Sequence, residues 1–140
     1  MNKLWILFGF LSALFAALVA IFGKIGVKDI DTTLATTIRA LIMAIFLIII
    51  SLSLNKFSFL NQINSKALIF IILSGISGAL SWLAYFFALK LGPAKGVAVL
   101  DRFSVVLVII LAGLFLGEII TIKNWVGIIL ITLGLLLFIF

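Results

Sequence analysis

The hydrophobic positions of this 140-residue chain form five long runs, and the polar positions are confined to the short stretches between them. A run of about 20 apolar residues crosses the hydrocarbon core of a bilayer as a helix. The pattern therefore predicts an all-α integral membrane protein of one domain, residues 1–140, in which no connection could hold a soluble domain. The predicted helices span approximately residues 4–22, 34–54, 67–89, 97–116 and 124–140.

Composition supports a membrane location and excludes several kinds of active site. Hydrophobic residues make up 66% of the chain and charged residues 10%, whereas a soluble domain carries about 25% charged residues. The chain has no His and no Cys, which excludes disulfides, thiolate sites, histidine metal sites and a histidine general base. We therefore predict that the protein is not an enzyme and that it has no catalytic residues, no metal site and no cofactor.

The net charge of +6 is spread singly along the chain, and without a basic patch it does not predict nucleic-acid binding. If five helices cross the membrane, the connection lysines divide evenly and leave the positive-inside rule without a bias. This balance predicts insertion in both orientations and an antiparallel homodimer, which forms an inverted repeat from two copies. The alternative is one orientation, fixed by arginines in the spans, by the insertion machinery or by a partner. One side holds Lys3, Lys56, Lys66 and Lys123, and the other holds Lys24, Lys28, Lys90 and Lys95.

Three charged residues, Arg39, Asp101 and Arg102, fall inside predicted spans. Each costs about 2.5–3.5 kcal/mol at a helix centre. Arg39 and Asp101 both lie roughly 6–10 Å below the same surface, so they can meet. One interpretation is a structural ion pair that fixes helix register. The other is a water-filled pathway in which Asp101 exchanges a proton or cation and an arginine holds an anionic group, while Arg102 is free to extend to the interface.

The third predicted span carries a polar stripe. Ser74, Gly78, Ser81 and Tyr85 recur at helical spacing, and Trp82 borders them. A stripe of hydroxyls and glycines that ends in aromatic rings is suited to a substrate-facing wall, with the rings stacking on an organic solute or cation. Close helix packing explains the same small residues, so both interpretations stay open.

Small residues in the other spans predict helix contacts, because they let two helix backbones approach closely. In the first span they recur at every fourth position, and the fourth span ends in a GxxxG pattern, which is a weak signal by itself. The predicted packing residues are Gly9, Ala13, Ala17, Gly113, Gly117, Gly127 and Gly134.

Five sequence segments, in this order and spacing, resemble the EamA family of the drug/metabolite transporter superfamily, in its short five-span bacterial and archaeal form. They are 35–39, 73–89, 101–104, 115–118 and 125–134. The resemblance implies a transporter that exports or exchanges metabolites, amino acids or drugs by alternating access, and whose larger relatives look like two such units fused in opposite orientation. The short form usually has Lys where this chain has Arg102, which keeps the charge and changes the donor geometry. Relatives of the small multidrug type carry a Glu in the first span, and this chain has no acid there.

The sequence therefore predicts a secondary active transporter or exporter of a small organic metabolite or drug-like solute, in the cytoplasmic (inner) membrane of a cell, as an antiparallel homodimer surrounded by lipid. Transport is expected to be coupled to protons or another cation. The alternative is a non-transporting membrane subunit that assembles with another protein. The predicted pathway and coupling residues are Arg39, Asp101, Arg102, Ser104, Ser81, Trp82 and Tyr85.

Overall fold

A computed structural model describes residues 3–139, and those residues form helices joined by short connections. The chain divides into two compact units. One unit is Phe22–Leu91, and the other combines the residues up to Ile21 with those from Gly92 onwards. The α-helices are α1 Leu4–Gly26, α2 Thr32–Ser53, α3 Ser65–Leu91, α4 Ala94–Asp101, α5 Phe103–Leu111 and α6 Ile122–Ile139, with a 3₁₀ helix at Lys56–Gln62 and a π-helical turn at Ala112–Leu116.

Four helical segments of the described chain are long and apolar enough to cross a membrane. They are α1, α2, α3 and the continuous stretch Ala94–Leu116. Helix α6 is apolar but has only 18 residues, a length of about 27 Å, which is near the lower limit for a span. The all-helical membrane fold is thus confirmed, whereas the fifth crossing stays a prediction. Phe140, at the end of that predicted span, lies outside the described residues.

Helices α2, α3 and α6 each begin two residues before the predicted start, because polar residues form their first turns. The Asp31 carboxylate caps α2 by accepting a hydrogen bond of 2.9 Å from the backbone N–H of Leu34. The Asn64 side chain accepts one of 2.7 Å from the N–H of Ala67 in α3. Side-chain caps satisfy N–H groups that have no partner within the helix, so these helices extend beyond their apolar runs.

The predicted fourth span is not a single regular helix. Helix α4 ends at Asp101, Arg102 forms a turn, and α5 begins at Phe103. A π-helical turn follows α5 and ends at Gly117, whose φ of 67° favours a residue without a Cβ. The helical stretch predicted at 97–116 is therefore present as Ala94–Leu116, but it contains backbone irregularities that hydrophobicity alone does not report.

The core of the unit Phe22–Leu91 lies where the end of α1, the start of α2 and the end of α3 meet. Leu89 is 0% exposed and Val27 is 1% exposed. A Cβ placed on Gly23 would lie 3.1 Å from the Leu89 side chain and 3.4 Å from the Phe86 ring. The close approach of α1 to α3 therefore depends on glycine at position 23.

Two lysines connect the helix ends around this core. The Lys24 ammonium donates a hydrogen bond of 2.5 Å to the carbonyl of Leu89, which is among the last four carbonyls of α3 and lacks a partner within that helix. The Lys90 ammonium donates one of 2.7 Å to the carbonyl of Ile30 in the first connection. The positive charges also complement the negative C-terminal ends of the helix dipoles.

We expect the substitution Lys24→Met to lower the free energy of unfolding by about 1–3 kcal/mol, because a charged hydrogen bond to a helix end is lost. Thermal or denaturant unfolding of the detergent-solubilised chain measures the change. Lys28→Met is the matched control, since it removes the same charge from an exposed position in the connection directly after α1 and should change stability by less than about 0.5 kcal/mol. Equal losses in both variants would contradict the proposed capping role of Lys24.

Candidate functional site

A groove of about 690 Å³ lies between α2 and α3, within the unit Phe22–Leu91. This volume is within the range of ligand sites in proteins, about 300–1,000 Å³. Both walls belong to helices of spanning length, so the groove lies at membrane depth. Its lining residues are Thr36, Thr37, Arg39, Ala40, Met43, Ala44 and Leu47 from α2, and Gly75, Gly78, Ala79, Trp82 and Leu83 from α3.

Small residues on the facing sides of the two helices leave the space open. Ala40 and Ala44 lie on α2, and Gly75, Gly78 and Ala79 lie on α3. A Cβ placed on Gly75 or on Gly78 would meet no atom of the described chain within 4 Å. These two glycines therefore form open parts of the wall and do not bring α2 and α3 into close contact.

The charged group of the groove is the guanidinium of Arg39, which stacks on the Trp82 ring. Its central carbon, Cζ, lies 3.4 Å from the ring centroid and 5.5 Å from that of Phe86. A cation over the face of a tryptophan is attracted by the ring quadrupole, by about 2 kcal/mol or more where water is excluded. The ring thus offsets part of the cost of holding Arg39 inside a spanning helix.

Two further rings fix the position of Trp82. The rings of Trp82 and Tyr85 meet edge to face at a centroid distance of 5.6 Å and an angle of 76°. Phe86, which is 4% exposed, meets Trp82 at 6.0 Å and 62°. Edge-to-face contacts of this kind contribute about 0.5–1.5 kcal/mol each beyond area burial. The platform beneath Arg39 is therefore supported from the core of the unit.

The threonines of the groove satisfy their hydroxyl protons within α2. Thr36 donates a hydrogen bond of 2.7 Å to the carbonyl of Thr32, and Thr37 donates one of 2.8 Å to that of Thr33. Because the hydroxyl oxygens keep their lone pairs, they can still accept hydrogen bonds. The two threonines therefore offer a solute mainly hydrogen-bond acceptors, whereas Arg39 offers donors.

Three of the predicted pathway residues, Asp101, Arg102 and Ser104, lie in the other unit, around the break between α4 and α5. Asp101 is the last residue of α4 and is half-buried, whereas Arg102 and Ser104 are exposed. The backbone N–H of Arg102 donates to the carbonyl of Val99, and the Arg102 carbonyl accepts from the N–H of Val105, both at 3.0 Å. Asp101 therefore stands where one helical segment ends and the next begins.

Comparison with known proteins agrees with this architecture. A profile of the EamA-like transporter family matches residues 3–140. The chain is also 42% identical over 137 residues to "Uncharacterized transporter in cobO 3'region" from Sinorhizobium sp, an alignment that covers 98% of this chain and 97% of that relative. The chain belongs to the EamA-like transporter family. No solved structure matches it significantly.

Membership of the EamA-like family confirms the resemblance inferred from the sequence segments. Together with the apolar helices, it establishes a multi-pass membrane protein in a lipid bilayer and a transporter of small solutes. Two of the five segments, 35–39 and 73–89, contribute residues to the groove between α2 and α3. Part of the groove lining in this EamA-like chain therefore comes from segments that carry the family resemblance.

The structure brings together some predicted pathway residues of the EamA-like chain. Arg39 and Trp82 line the groove, and Tyr85 supports Trp82 from outside the lining. Ser81 is exposed and does not line the groove. The Arg39–Asp101 ion pair stays a prediction, because the two residues belong to different compact units.

Most contributors to the groove region were not among the predicted pathway residues. Thr36 and Met43 line the groove, and Phe86 contacts the Trp82 ring. Phe86 had a usable signal, since it follows Trp82 by one helical turn and side chains at that spacing are neighbours. Thr36 lies in the segment 35–39 that carries the family resemblance, whereas Met43 had no usable signal, because almost every face of α2 is apolar or carries a small residue.

The predicted packing residues differ in their surroundings. A Cβ on Gly113 would lie 2.5 Å from the Ile120 side chain, so that glycine accommodates the connection after the π-helical turn. Gly9, Gly127 and Gly134 have no atom of the described chain within 4 Å of such a Cβ, and Ala13 and Ala17 are exposed. Helix contacts of these five residues therefore stay a prediction.

Proposed function

We propose that this transporter is a secondary active carrier that moves a small organic metabolite or drug-like solute by alternating access in the cytoplasmic (inner) membrane of a cell. The observation that carries the proposal is the groove between α2 and α3, which has the volume of a ligand site and a single guanidinium in its lining among the described residues. Arg39 lies about 10 Å along α2 from its first residue. Ionisable groups at such a depth usually face a cavity or pathway.

Asp101 is the proposed coupling residue, which exchanges a proton or cation during the transport cycle. Its position at the end of α4, directly before the turn at Arg102, supports this role. In other transporters, interrupted helices place backbone carbonyls and helix ends at ion sites. A carboxylate at such an interruption is suited to binding a proton or a cation, because the local carbonyls offer further oxygen ligands.

Two copies are proposed to pair in opposite orientations, so that each contributes one half of an inverted repeat. Four lysines at or near the helix ends on each side, in a five-span arrangement, support insertion in both orientations. The uncovered small residues Gly9, Ala13 and Ala17 on α1 and Gly127 and Gly134 on α6 are suited to close contact between helices of two copies.

Transport by the purified chain alone, reconstituted in liposomes, tests the function. We expect uptake or release of at least one solute from a panel of organic anions, cations and neutral metabolites, driven by an imposed pH or sodium gradient and stopped by an ionophore that collapses it. Protein-free liposomes provide the baseline. If no solute moves under any gradient, a non-transporting subunit that assembles with another membrane protein becomes the better explanation.

A further inference from the structure

We infer that the solute of the α2–α3 groove is a small organic anion, whose carboxylate binds the edge of the Arg39 guanidinium and whose apolar body extends along the small-residue wall. This inference rests on the proposed function and specifies the class of substrate. It also replaces the expectation that Trp82 stacks directly on the solute.

The face of Trp82 that borders the groove is already covered. Arg39 Cζ lies 3.4 Å from the ring centroid, which is the separation of two planar groups in van der Waals contact. An organic cation could not stack on the same face without displacing the guanidinium, and it would meet a like charge. Among the described lining residues, Arg39 is also the only ionisable one, so the fixed charge of the groove is positive.

Stacking on the ring does not occupy the N–H edge of the Arg39 guanidinium. A guanidinium carries five N–H donors, all in the plane of the group, and a face-on contact with a ring uses none of them. In a site at membrane depth, a positive charge without a counterion is costly. A carboxylate in the guanidinium plane would accept two parallel hydrogen bonds and neutralise the charge.

The rest of the groove is suited to an apolar body. Beyond Arg39 the walls consist of Ala40, Ala44, Gly75, Gly78 and Ala79, and the far part includes Met43 and Leu47. These side chains offer dispersion contacts and no charge. Since methionine adapts its shape to its neighbours, the pocket fits hydrocarbon or aromatic groups better than sugars or polyols. A monocarboxylate with an aromatic or aliphatic tail matches both parts of the groove, because its carboxylate suits Arg39 and its tail suits the apolar walls.

Fluorescence of Trp82 tests the inference directly. In a Trp5→Phe/Trp125→Phe background, Trp82 is the single tryptophan of the chain, and its emission reports on the groove. Three probes of similar shape are titrated into the detergent-solubilised protein: phenylacetate, neutral phenylacetamide and cationic 2-phenylethylamine. We expect phenylacetate to bind at least about tenfold more tightly than phenylacetamide, and 2-phenylethylamine to bind more weakly than both.

Substitutions at Arg39 then distinguish the contribution of its charge to phenylacetate binding from that of its planar shape. Arg39→Gln should weaken phenylacetate binding at least about tenfold and leave phenylacetamide binding nearly unchanged. Arg39→Lys keeps the charge but lacks the planar fork, so an intermediate affinity is expected. Lys66→Gln is the matched control, because it removes a positive charge from the exposed first turn of α3, outside the groove, and should leave both affinities unchanged.

The three-probe comparison needs no substitution at Arg39, so it stays decisive even if an Arg39 variant misfolds. Equal or tighter binding of 2-phenylethylamine, or phenylacetate binding that is unchanged in a folded Arg39→Gln variant, would overturn the inference. So would an absence of response to all three probes, as expected if lipid or a second copy fills the groove. Arg39-dependent binding without transport of any solute would uphold the anion site and overturn the proposed function. Transport of cations without phenylacetate binding would uphold the proposed function and overturn the anion site.

Discussion

Replacing Gly78 by Leu is expected to slow transport about 5- to 150-fold while the chain remains folded. A Cβ at position 78 meets no atom of the described chain within 4 Å, and the residue lines the groove. The leucine side chain would therefore enter the space that the solute needs. Crowding a packed site costs about 1–3 kcal/mol, which corresponds to this range of affinity. Initial uptake rates in proteoliposomes measure the effect.

Helix stability should not fall in this variant, because glycine is about 1 kcal/mol less favourable than most residues in a helix interior. Gly26→Leu provides the matched control. Gly26 is also helical and has no atom of the described chain within 4 Å of a Cβ, but it lies at the end of α1 and does not line the groove. Transport by Gly26→Leu should be normal.

The outcome at Gly78 also decides between the two interpretations of the polar stripe on α3. If the stripe packs against a second copy, Gly78→Leu would change the oligomeric state in detergent, as measured by light scattering. If the stripe faces solute, the size of the assembly is unchanged and only transport is lost. Normal transport by a correctly folded Gly78→Leu variant would contradict the role of the groove in the pathway.

The helices could be predicted because lipid leaves a spanning segment few alternatives. Backbone groups in the hydrocarbon core must be satisfied internally, so each apolar run of sufficient length predicts a helix. The predicted helix ends were less accurate, since capping residues such as Asp31 and Asn64 are polar and lie outside the apolar runs. The turn at Arg102 was not predicted, although the adjacent charges of Asp101 and Arg102 marked the place.

The contact of Arg39 with the Trp82 ring could not be deduced from depth and charge. Those two criteria favour Asp101, the acid predicted at a similar depth. In the structure the guanidinium contacts the face of Trp82, a group without a formal charge that can still stabilise a cation. Which faces of α2 and α3 meet is a tertiary property, and nearly uniform hydrophobicity along α2 gives no periodic signal for it. The groove therefore could not be predicted from the sequence and was found only in the structure.

The coupling role proposed for Asp101 predicts the second large effect. A carboxylate that binds and releases one proton per cycle can use a gradient of one pH unit, which stores about 1.4 kcal/mol and supports about a tenfold concentration ratio of a co-transported solute. Asparagine has nearly the same shape as aspartate, but its amide does not bind and release a proton at the pH of the experiment. The substitution therefore removes the proton and leaves the packing at the end of α4 nearly unchanged.

We accordingly expect Asp101→Asn proteoliposomes to lose the concentration ratio generated by a pH gradient, while labelled solute still exchanges when solute is present on both sides. Time courses with and without the gradient measure both quantities. Glu118→Gln is the matched control, because it neutralises an exposed carboxylate in the connection before α6 and should preserve gradient-driven accumulation. If Asp101→Asn accumulates solute normally but unfolds at a lower temperature, Asp101 stabilises the fold and coupling must reside at another residue.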